Sequence, residues 1–405
     1  MAGLSRIAIV GGGLAGLRAA ETLREMGFTG SLSIFSAEPH PPYNRPPLSK
    51  QYLTGDLEDE ALYFPINRDL HCDIHLNAPV TRIRLNPGRL WVGDAEEPEE
   101  WDGLVLATGA TPIRPPIDGL HLEGVHFLKS LPDGRRLRSA FLDAKQVVVV
   151  GGGFIGCEIA ASARMHGLDV TIVDLANVLM LRALGSRLGA VMAEIHRKAG
   201  VQLKMGRSVK NILGAERATG VLLDDGTELE ADLIVIGVGS TPDLNYLDGS
   251  GLTTGNGIIC DAFCRVEGGY GRVAAAGDVA NWPHPSYGGR RMRIEHWTQA
   301  AEQGEAAARA LLSPKTTQPF NPVLSLWSDQ YGKKLQAIGA PWLADAVEVV
   351  DEPGEDGRFF ARCWSDQRLI GVVARAMPAK IVQNRTAVIE ALSDIDSAQH
   401  EPSTA

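Results

Sequence analysis

Two glycine-rich segments, 140 residues apart, have the residue types and spacing that bind a dinucleotide. The spacing G-x-G-x-x-G occurs at Gly11, Gly13 and Gly16 and again at Gly151, Gly153 and Gly156. Glycines in this pattern allow a tight turn, a close approach of the backbone to a pyrophosphate and close packing of the following helix. The first turn of that helix offers amide donors and a partial positive charge, which attract phosphates. The chain is therefore predicted to have two dinucleotide sites.

An acidic residue follows each glycine motif at the distance that suits contact with a ribose. These residues are Glu38 in the first copy and Asp174 in the second. A carboxylate at this point accepts hydrogen bonds from ribose hydroxyls, and it would repel the 2'-phosphate of NADPH. NADH is therefore the predicted nucleotide of the second site. Arg182, eight residues after Asp174, is placed to weaken this repulsion and belongs to the same predicted site.

Each glycine motif is predicted to join a buried strand to a helix. Residues 7–10 and 147–150 are apolar runs with β-branched side chains, which are typical of buried parallel strands. Helical patterns follow, and second strands at 32–35 and 170–173 complete two βαβ units.

Later apolar segments indicate that the second unit is inserted into the first. A strand at 273–275 lies well beyond the second repeat, so the chain is expected to leave the first domain, build the second and return. We predict an α/β fold with a discontinuous Rossmann-type domain at 1–112 and 245–320, a second at 113–244 and a C-terminal α+β domain at 321–405. The last domain is expected to have a helix near 382–392 and a frayed polar tail from Ser393.

Charge and cysteine content argue against several classes of protein. The net charge of −10 argues against a general nucleic-acid binder. No run approaches the roughly 20 apolar residues of a membrane-spanning helix, and no targeting segment precedes the first strand. A cytoplasmic protein without membrane contact is therefore predicted. The five cysteines are scattered, odd in number and lack C-x-x-C spacing, which predicts free structural thiols and no metal site.

Several short motifs resemble those of one group of flavoproteins. They are PYNRPPLSK at 42–50, ATG at 107–109, GGGFIGCE at 151–158, GD at 277–278, IEHW at 294–297 and WSDQ at 327–330. With these motifs the chain resembles, over nearly its whole length, the FAD-dependent ferredoxin and rubredoxin reductases that serve bacterial Rieske oxygenases and cytochromes P450. The resemblance implies a glutathione-reductase-like pair of Rossmann-type domains, with FAD in the first site and NADH in the second.

The resemblance also implies which residues form each site. For FAD they are Gly11, Gly13, Gly16, Glu38, Arg45, Lys50, Val80, Ala107, Thr108, Gly109, Asp278, Glu295 and Trp297. For NAD they are Gly151, Gly153, Phe154, Ile155, Gly156, Glu158, Asp174, Arg182 and Gly237. The residues implied in catalysis are Lys50, Glu158, Glu295, Trp297 and Trp327.

The resemblance assigns particular roles to some of these residues. Arg45 and Lys50 are implied to lie beside the flavin, with Lys50 near N5 and paired with Glu158 of the other domain. Asp278 is implied to bind the ribityl hydroxyls, and residues 295–297 to begin a helix aimed at the pyrimidine edge of the flavin. Trp327 is implied to lie by the isoalloxazine on the partner-facing side. The chain departs from the family at Asn44, where Asp is frequent, and at 36–37, where Gly-Asp is frequent.

The function implied is an NADH:ferredoxin reductase. Electrons pass from NADH through FAD to a [2Fe-2S] ferredoxin, or a rubredoxin-like protein, that feeds an oxygenase, and the chain is expected to be a monomer or a weak homodimer. Three alternatives stay open: a reductase of another small acceptor, a disulfide reductase, and a flavin-bound interaction protein like the apoptosis-inducing factors. The disulfide reductase is disfavoured because residues 38–56 contain no cysteine beside the expected flavin.

Overall fold

Apolar, β-branched runs form buried parallel strands in a computed structural model that describes residues 4–315 and 317–398. The α-helices are α1 (Leu14–Glu25), α2 (Leu131–Asp143), α3 (Phe154–Met165), α4 (Leu181–Lys198), α5 (Trp297–Leu312) and α6 (Pro378–Ala398). Short 3₁₀ turns lie at Pro46–Ser49, Asp59–Leu62, Arg68–Leu70, Asn245–Leu247, Gly277–Val279, Pro285–Tyr287 and Pro341–Leu343.

The strands of the first half of the chain are β1 (Arg6–Val10), β2 (Ser31–Phe35), β3 (Asp73–His75), β4 (Val80–Arg84), β5 (Arg89–Val92), β6 (Glu99–Glu100), β7 (Gly103–Leu106), β8 (Thr111–Pro112), β9 (Val125–Phe127), β10 (Gln146–Val150), β11 (Asp169–Asp174), β12 (Gln202–Met205) and β13 (Val209–Gly214). Those of the second half are β14 (Ala218–Leu223), β15 (Glu228–Glu230), β16 (Leu233–Ile236), β17 (Ser240–Thr241), β18 (Thr254–Gly255), β19 (Gly257–Ile259), β20 (Val273–Ala275), β21 (Ala280–His284), β22 (Arg290–Met292), β23 (Ser325–Gln330), β24 (Lys333–Gly339), β25 (Ala346–Asp351), β26 (Phe359–Ser365) and β27 (Arg368–Arg375).

Two parallel sheets confirm the predicted pair of Rossmann-type units. The first has the strand order β20-β7-β1-β2-β3 and the second β12-β11-β10-β16-β9. In each, a glycine-rich turn leads from the central strand into a helix, α1 or α3. The chain leaves the first sheet after Leu106 and returns to it at Val273, so the second sheet is built by an insertion.

The two crossings between these sheets lie side by side. Strand β8 of the outward crossing pairs antiparallel with β17 of the return, Thr111 opposite Thr241 and Pro112 opposite Ser240. This pairing supports domain boundaries near residues 112 and 244, which we propose together with a third near 320.

The C-terminal part of the chain is an antiparallel sheet of order β23-β24-β27-β26-β25, covered by α6. Helix α6 is longer than predicted. It begins at Pro378, since proline suits a first helical turn, and it continues past Leu392 to Ala398. The prediction of a frayed tail from Ser393 is therefore wrong for residues 393–398, and residues 399–405 lie outside the described part of the chain.

One apolar cluster joins all three units and thereby positions the sites. It contains Tyr52 from the first unit, Ile159 from the second and Phe359 from the C-terminal sheet, all at most 2% exposed. Because this cluster is contiguous, side chains from three units can meet beside it at fixed distances.

Candidate active site

The first glycine turn has the geometry of a pyrophosphate cradle. Gly11 has φ +119°, and a Cβ there would lie 2.1 Å from the carbonyl oxygen of Ala107, so only glycine is accommodated. A Cβ on Gly13 would meet no atom within 4 Å. Gly13 is the N-cap residue of α1 and supplies no side-chain cap, which leaves the amides of the first helical turn directed into this open space.

The second glycine turn repeats this geometry. Gly151 has φ +111°, and its Cβ would lie 2.2 Å from the carbonyl oxygen of Gly237. Gly153 precedes α3 and again leaves open space where a Cβ would be. Ala107 and Gly237 thus hold equivalent places, at the end of the strand beside each turn. Both turns fit a dinucleotide pyrophosphate.

The carboxylate of Glu38, which follows β2, is bound by two neighbours. Tyr43 donates its hydroxyl proton to Oε2 at 2.6 Å, and Arg45 forms an ion pair with Oε1. Arg45 also donates to the backbone oxygen of Lys129 at 2.9 Å. The structure therefore brings the predicted FAD residues Glu38 and Arg45 together. Burial raises the pKa of Tyr43 well above its usual value, so this residue is a neutral donor.

The segment that leads into Val80 is hydrogen-bonded to the segment that contains Glu38. The amide of Ala78 donates to Ser36 O at 2.7 Å and that of Asn77 to Glu38 O at 3.1 Å. These bonds attach the start of β4 to the end of β2. Ser36 and Glu38 are thereby fixed to the segment that leads into β4.

A buried ion pair connects the first unit to the second. Lys50 follows the 3₁₀ turn Pro46–Ser49, and its Nζ donates to Glu158 Oε2 on α3 at 2.7 Å and to Pro46 O at 3.0 Å. Ser49 also donates to Oε2, while Ser328 of β23 donates to Oε1 at 2.6 Å. Because a buried carboxylate needs several donors, this set of partners compensates for its loss of water.

Asp278 has a partner that the sequence did not indicate. It follows β20, and its Oδ2 accepts a hydrogen bond from Lys129 Nζ at 3.0 Å. The two residues are 149 positions apart, so no local pattern connects them. The amide of Gly277 is held by Gln303 Oε1 at 3.0 Å, which ties the Gly-Asp turn to α5.

Aromatic rings cluster where α5 begins. The centroid of the Trp327 ring lies 6.0 Å from that of Trp297 and 6.1 Å from that of His296. His296 meets the edge of Phe154 at 5.6 Å, so the cluster reaches the first residue of α3. Burial lowers the pKa of His296 to about 4, which makes its imidazole neutral at physiological pH. The indole nitrogen of Trp297 donates to Asn44 Oδ1 at 2.9 Å.

Glu295 and Thr108, two more of the predicted FAD residues, have their hydrogen bonds with residues 240–293. Glu295 is exposed, and it binds Arg293 at 2.6 Å and the hydroxyl of Ser240 near the return crossing. Thr108 Oγ1 is 3.2 Å from the hydroxyl of Tyr246. Gly109 follows and has a left-handed backbone with φ +73°.

Asp174 braces the second glycine turn. One carboxylate oxygen accepts the amide hydrogen of Gly152, and the other accepts that of Ala176 at 2.7 Å. Asp174 is half-buried, whereas Arg182 is exposed at the start of α4 and Ile155 is exposed at the start of α3. The sequence predicted a ribose contact for Asp174, and it did not indicate that Asp174 holds the turn.

The cysteines have the character of structural thiols. All five are free. Burial raises the pKa of Cys72, Cys260 and Cys363 to about 12, and it raises the pKa of Cys157 and Cys264 well above the usual value of a thiol. Within residues 4–315 and 317–398, no group of His, Cys, Asp or Glu side chains is arranged to hold a metal ion. Across the same residues, no helix combines the length and apolar character needed to cross a bilayer.

Two dinucleotide turns, an inserted second domain and a buried ion pair between the two units define a flavin- and nicotinamide-dependent oxidoreductase. The chain belongs to the pyridine nucleotide-disulphide oxidoreductase family, whose family model matches residues 5–304. A reductase C-terminal family model matches residues 325–404. Membership implies FAD and NAD(P)H as cofactors, and the two turns fit both.

Named relatives agree with this assignment. Rhodocoxin reductase of Rhodococcus erythropolis is 37% identical over 374 residues, which are 90% of this chain and 85% of the relative. The ferredoxin reductase component of chlorobenzene dioxygenase from Cupriavidus sp. (strain PS12) is 33% identical, with 98% of this chain and 97% of the relative covered. A crystal structure of a ferredoxin reductase from Rhodopseudomonas palustris has a TM-score of 0.89 at 32% identity, covering 94% of this chain and 93% of that one.

Proposed function

We propose that this chain is an NADH-dependent reductase that passes electrons through FAD to a [2Fe-2S] ferredoxin, which in turn feeds an oxygenase. The observation that carries the proposal is the Lys50–Glu158 ion pair, because it joins the FAD-side loop to the NAD-side helix at one buried point. The relatives named as ferredoxin reductases support the choice of acceptor class. The absence of a cysteine in residues 38–56 disfavours a disulfide substrate.

Bound FAD supplies the step that no side chain can perform, accepting a hydride from NADH and releasing the electrons singly. The chain's own residues bind and orient. The turn at Gly11 and Gly13 would hold the pyrophosphate of FAD, with Glu38 beside the adenosine half and Asp278 beside the ribityl chain. Arg45, which the resemblance placed beside the flavin, is paired with Glu38 and would lie with it at the adenosine half. Lys50 and Glu158 would fix the nicotinamide against the flavin, which raises the rate by orientation.

The nucleotide preference is proposed from Asp174. The carboxylate is negative and half-buried, and it already accepts two backbone amides, so it is held firmly in place beside the second turn. A 2'-phosphate brought near this charge would be repelled, whereas ribose hydroxyls could still donate to the free lone pairs. Arg182 is exposed, and no ion pair of the described residues joins it to Asp174. NADH is therefore favoured over NADPH.

The exit for electrons is proposed at the aromatic cluster. Trp297 and Trp327 are in edge contact, and both are half-buried, so the cluster extends from the interior to the surface. A partner protein that docks over Trp327 would place its iron-sulfur centre close to the aromatic cluster, and through it close to the flavin. The start of α5 would also place a helix N-terminus where it stabilises the negative charge of reduced flavin.

The test is steady-state reduction of cytochrome c by NADH, with and without an added [2Fe-2S] ferredoxin. We expect the ferredoxin to increase the rate of cytochrome c reduction strongly, because the proposed docking surface suits a ferredoxin and not cytochrome c. A panel of ferredoxins, a rubredoxin and NADPH would be assayed in parallel with the same enzyme preparation. Slow flavin reduction by NADH, with no stimulation by any member of the panel, would refute the proposal.

A further inference from the structure

A chain of polar side chains extends from Glu158 into the C-terminal sheet. Ser328 and Gln330 lie on β23, His196 on α4, and Tyr331 in the turn after β23. Ser328, Gln330 and His196 are at most 1% exposed. The links are Ser328 Oγ to Glu158 Oε1 at 2.6 Å, Gln330 Nε2 to Ser328 Oγ at 2.9 Å, Gln330 Oε1 to His196 Nε2 at 2.9 Å and Tyr331 OH to His196 Nδ1 at 2.7 Å.

The chemistry of these groups gives every bond the same direction. A carboxylate accepts, so Ser328 donates its only proton to Glu158 and must itself accept from the amide nitrogen of Gln330. The oxygen of Gln330 then accepts the Nε2 proton of His196. Burial lowers the pKa of His196 to about 4, so the ring is neutral and its Nδ1 accepts from Tyr331. All the donors therefore point towards Glu158.

A one-way chain of this kind has an electrostatic consequence. Each bond polarises the next, and in a dry interior this cooperativity strengthens the last bond, which ends on the carboxylate. With Oε1 held by Ser328, the other oxygen of Glu158 faces Lys50 and Ser49. The backbone oxygen of Gln330 is in turn bound by the buried guanidinium of Arg375 at 3.2 Å, which anchors this part of β23.

We infer that Ser328, Gln330 and His196 are positioning residues that hold the Glu158 carboxylate in register with Lys50 for hydride entry. The inference rests on the proposed function, because it assumes that Lys50 and Glu158 orient the nicotinamide. It gives the C-terminal sheet a task on the NADH side as well as on the side of the partner. Residues from three units then share one site, so the site is complete only when all three are packed together.

The test separates donor strength from side-chain volume at one position. Ser328→Ala removes the donor and makes the side chain smaller, whereas Ser328→Cys keeps a weak donor in a larger one. We expect the limiting rate of flavin reduction by saturating NADH, measured by stopped flow, to fall roughly 10-fold in Ser328→Ala and by an intermediate factor in Ser328→Cys. A role in packing alone would make the larger cysteine at least as harmful as alanine.

A second measurement does not depend on turnover. The holoprotein is treated with a small amount of acetic anhydride, and acetylation of Lys50 relative to Lys129 is measured by peptide mass spectrometry. A loosened ion pair should increase the labelling of Lys50 roughly 5-fold in Ser328→Ala. Ser286→Ala is the matched control, since Ser286 is also buried and donates to Asn321 Oδ1 at 2.8 Å in a separate pair. Ser286→Ala should change neither the rate of flavin reduction nor the labelling of Lys50.

Should Ser328→Ala fail to fold, Tyr331→Phe tests the same chain from its half-buried end. It removes the last donor, and we expect a slowdown and a labelling increase of roughly 2-fold. Wild-type rate and labelling in both Ser328→Ala and Tyr331→Phe would overturn the inference, as would a cysteine variant slower than the alanine variant. If NADH fails to reduce the wild-type flavin, the proposed function falls, and the labelling of Lys50 still decides whether Ser328 positions Glu158.

Discussion

The carboxamide oxygen of Asn44 accepts a hydrogen bond from the indole nitrogen of Trp297 at 2.9 Å. This bond connects the loop before the 3₁₀ turn Pro46–Ser49 with the first residue of α5, which are 253 positions apart. Asparagine serves here because its side chain offers an acceptor oxygen to the indole N–H. The indole ring is thereby oriented for its edge contact with Trp327.

Asn44→Ala should destabilise the protein, because it leaves the partly buried indole N–H without this acceptor. The expected loss in the free energy of unfolding is about 1 kcal/mol, measured by urea denaturation. Asn44→Asp keeps an acceptor oxygen and should stay within about 0.5 kcal/mol of wild type. Equal stability of the alanine variant and wild type would show that this hydrogen bond contributes nothing net.

Lys50→Met should slow the reduction of bound flavin by NADH. The substitution keeps the length of the side chain and removes its charge, so Glu158 loses its ion-pair partner and the nicotinamide loses its orientation. A decrease of roughly 10- to 100-fold in the stopped-flow rate is expected. Lys145→Met, at an exposed lysine after α2, is the control and should reduce as wild type does. A normal rate in Lys50→Met would remove the proposed role of this lysine.

Asp174→Asn should shift nucleotide preference towards NADPH. The change removes the charge that repels a 2'-phosphate, while the amide oxygen still accepts one of the two backbone amides. We expect the ratio of kcat/KM for NADPH to that for NADH to rise by roughly 10-fold. Asp174→Ala removes the charge and both hydrogen bonds, so its ratio should rise with a loss of affinity for both nucleotides. An unchanged ratio in both variants would place the ribose elsewhere.

Much of the fold could be predicted because its signals are local. The spacing of Gly11, Gly13 and Gly16 predicts a strand, a turn and a helix within a few residues. The repeat of this spacing 140 residues later predicts the same three elements in a second unit. The C-terminal end of α6 could not be predicted from local signals, because the residues beyond Leu392 are mostly polar and have no helical spacing of apolar residues. These residues continue a helix whose earlier turns are buried, as at Val388.

The site was predictable only where a motif marks it. Lys50 and Glu158 are 108 positions apart, and their pairing was indicated by resemblance rather than by any pattern in the residues. Ser328, Gln330 and His196 were not predicted as site residues, because their contacts with Glu158 and with one another depend on how three units pack. Asp174 was expected to bind ribose, and nothing in its sequence context indicated that it also braces Gly152.

The buried histidine His196 should make the protein less stable in acid. Burial lowers its pKa to about 4 in the folded state, against about 6.5 in an unfolded chain. Between these values the unfolded chain binds the extra proton, so this contribution to stability is complete above about pH 6.5 and is lost as the pH falls towards 4. The loss amounts to about 3 kcal/mol. His284 and His296 have pKa values lowered to about 4 in the same way and add to the slope of the wild type.

His196→Gln isolates the part that belongs to His196. Glutamine does not titrate and can still donate to Gln330 Oε1, so the variant should lose stability less steeply than wild type between about pH 6.5 and about pH 4.5. The measurement is the urea-induced unfolding free energy of both proteins across this range. His121→Gln, at an exposed histidine, is the control for the substitution itself. If His196→Gln and wild type have equal slopes, the imidazole of His196 is already protonated in the folded protein, and the direction of its hydrogen bond to Tyr331 would have to be reversed.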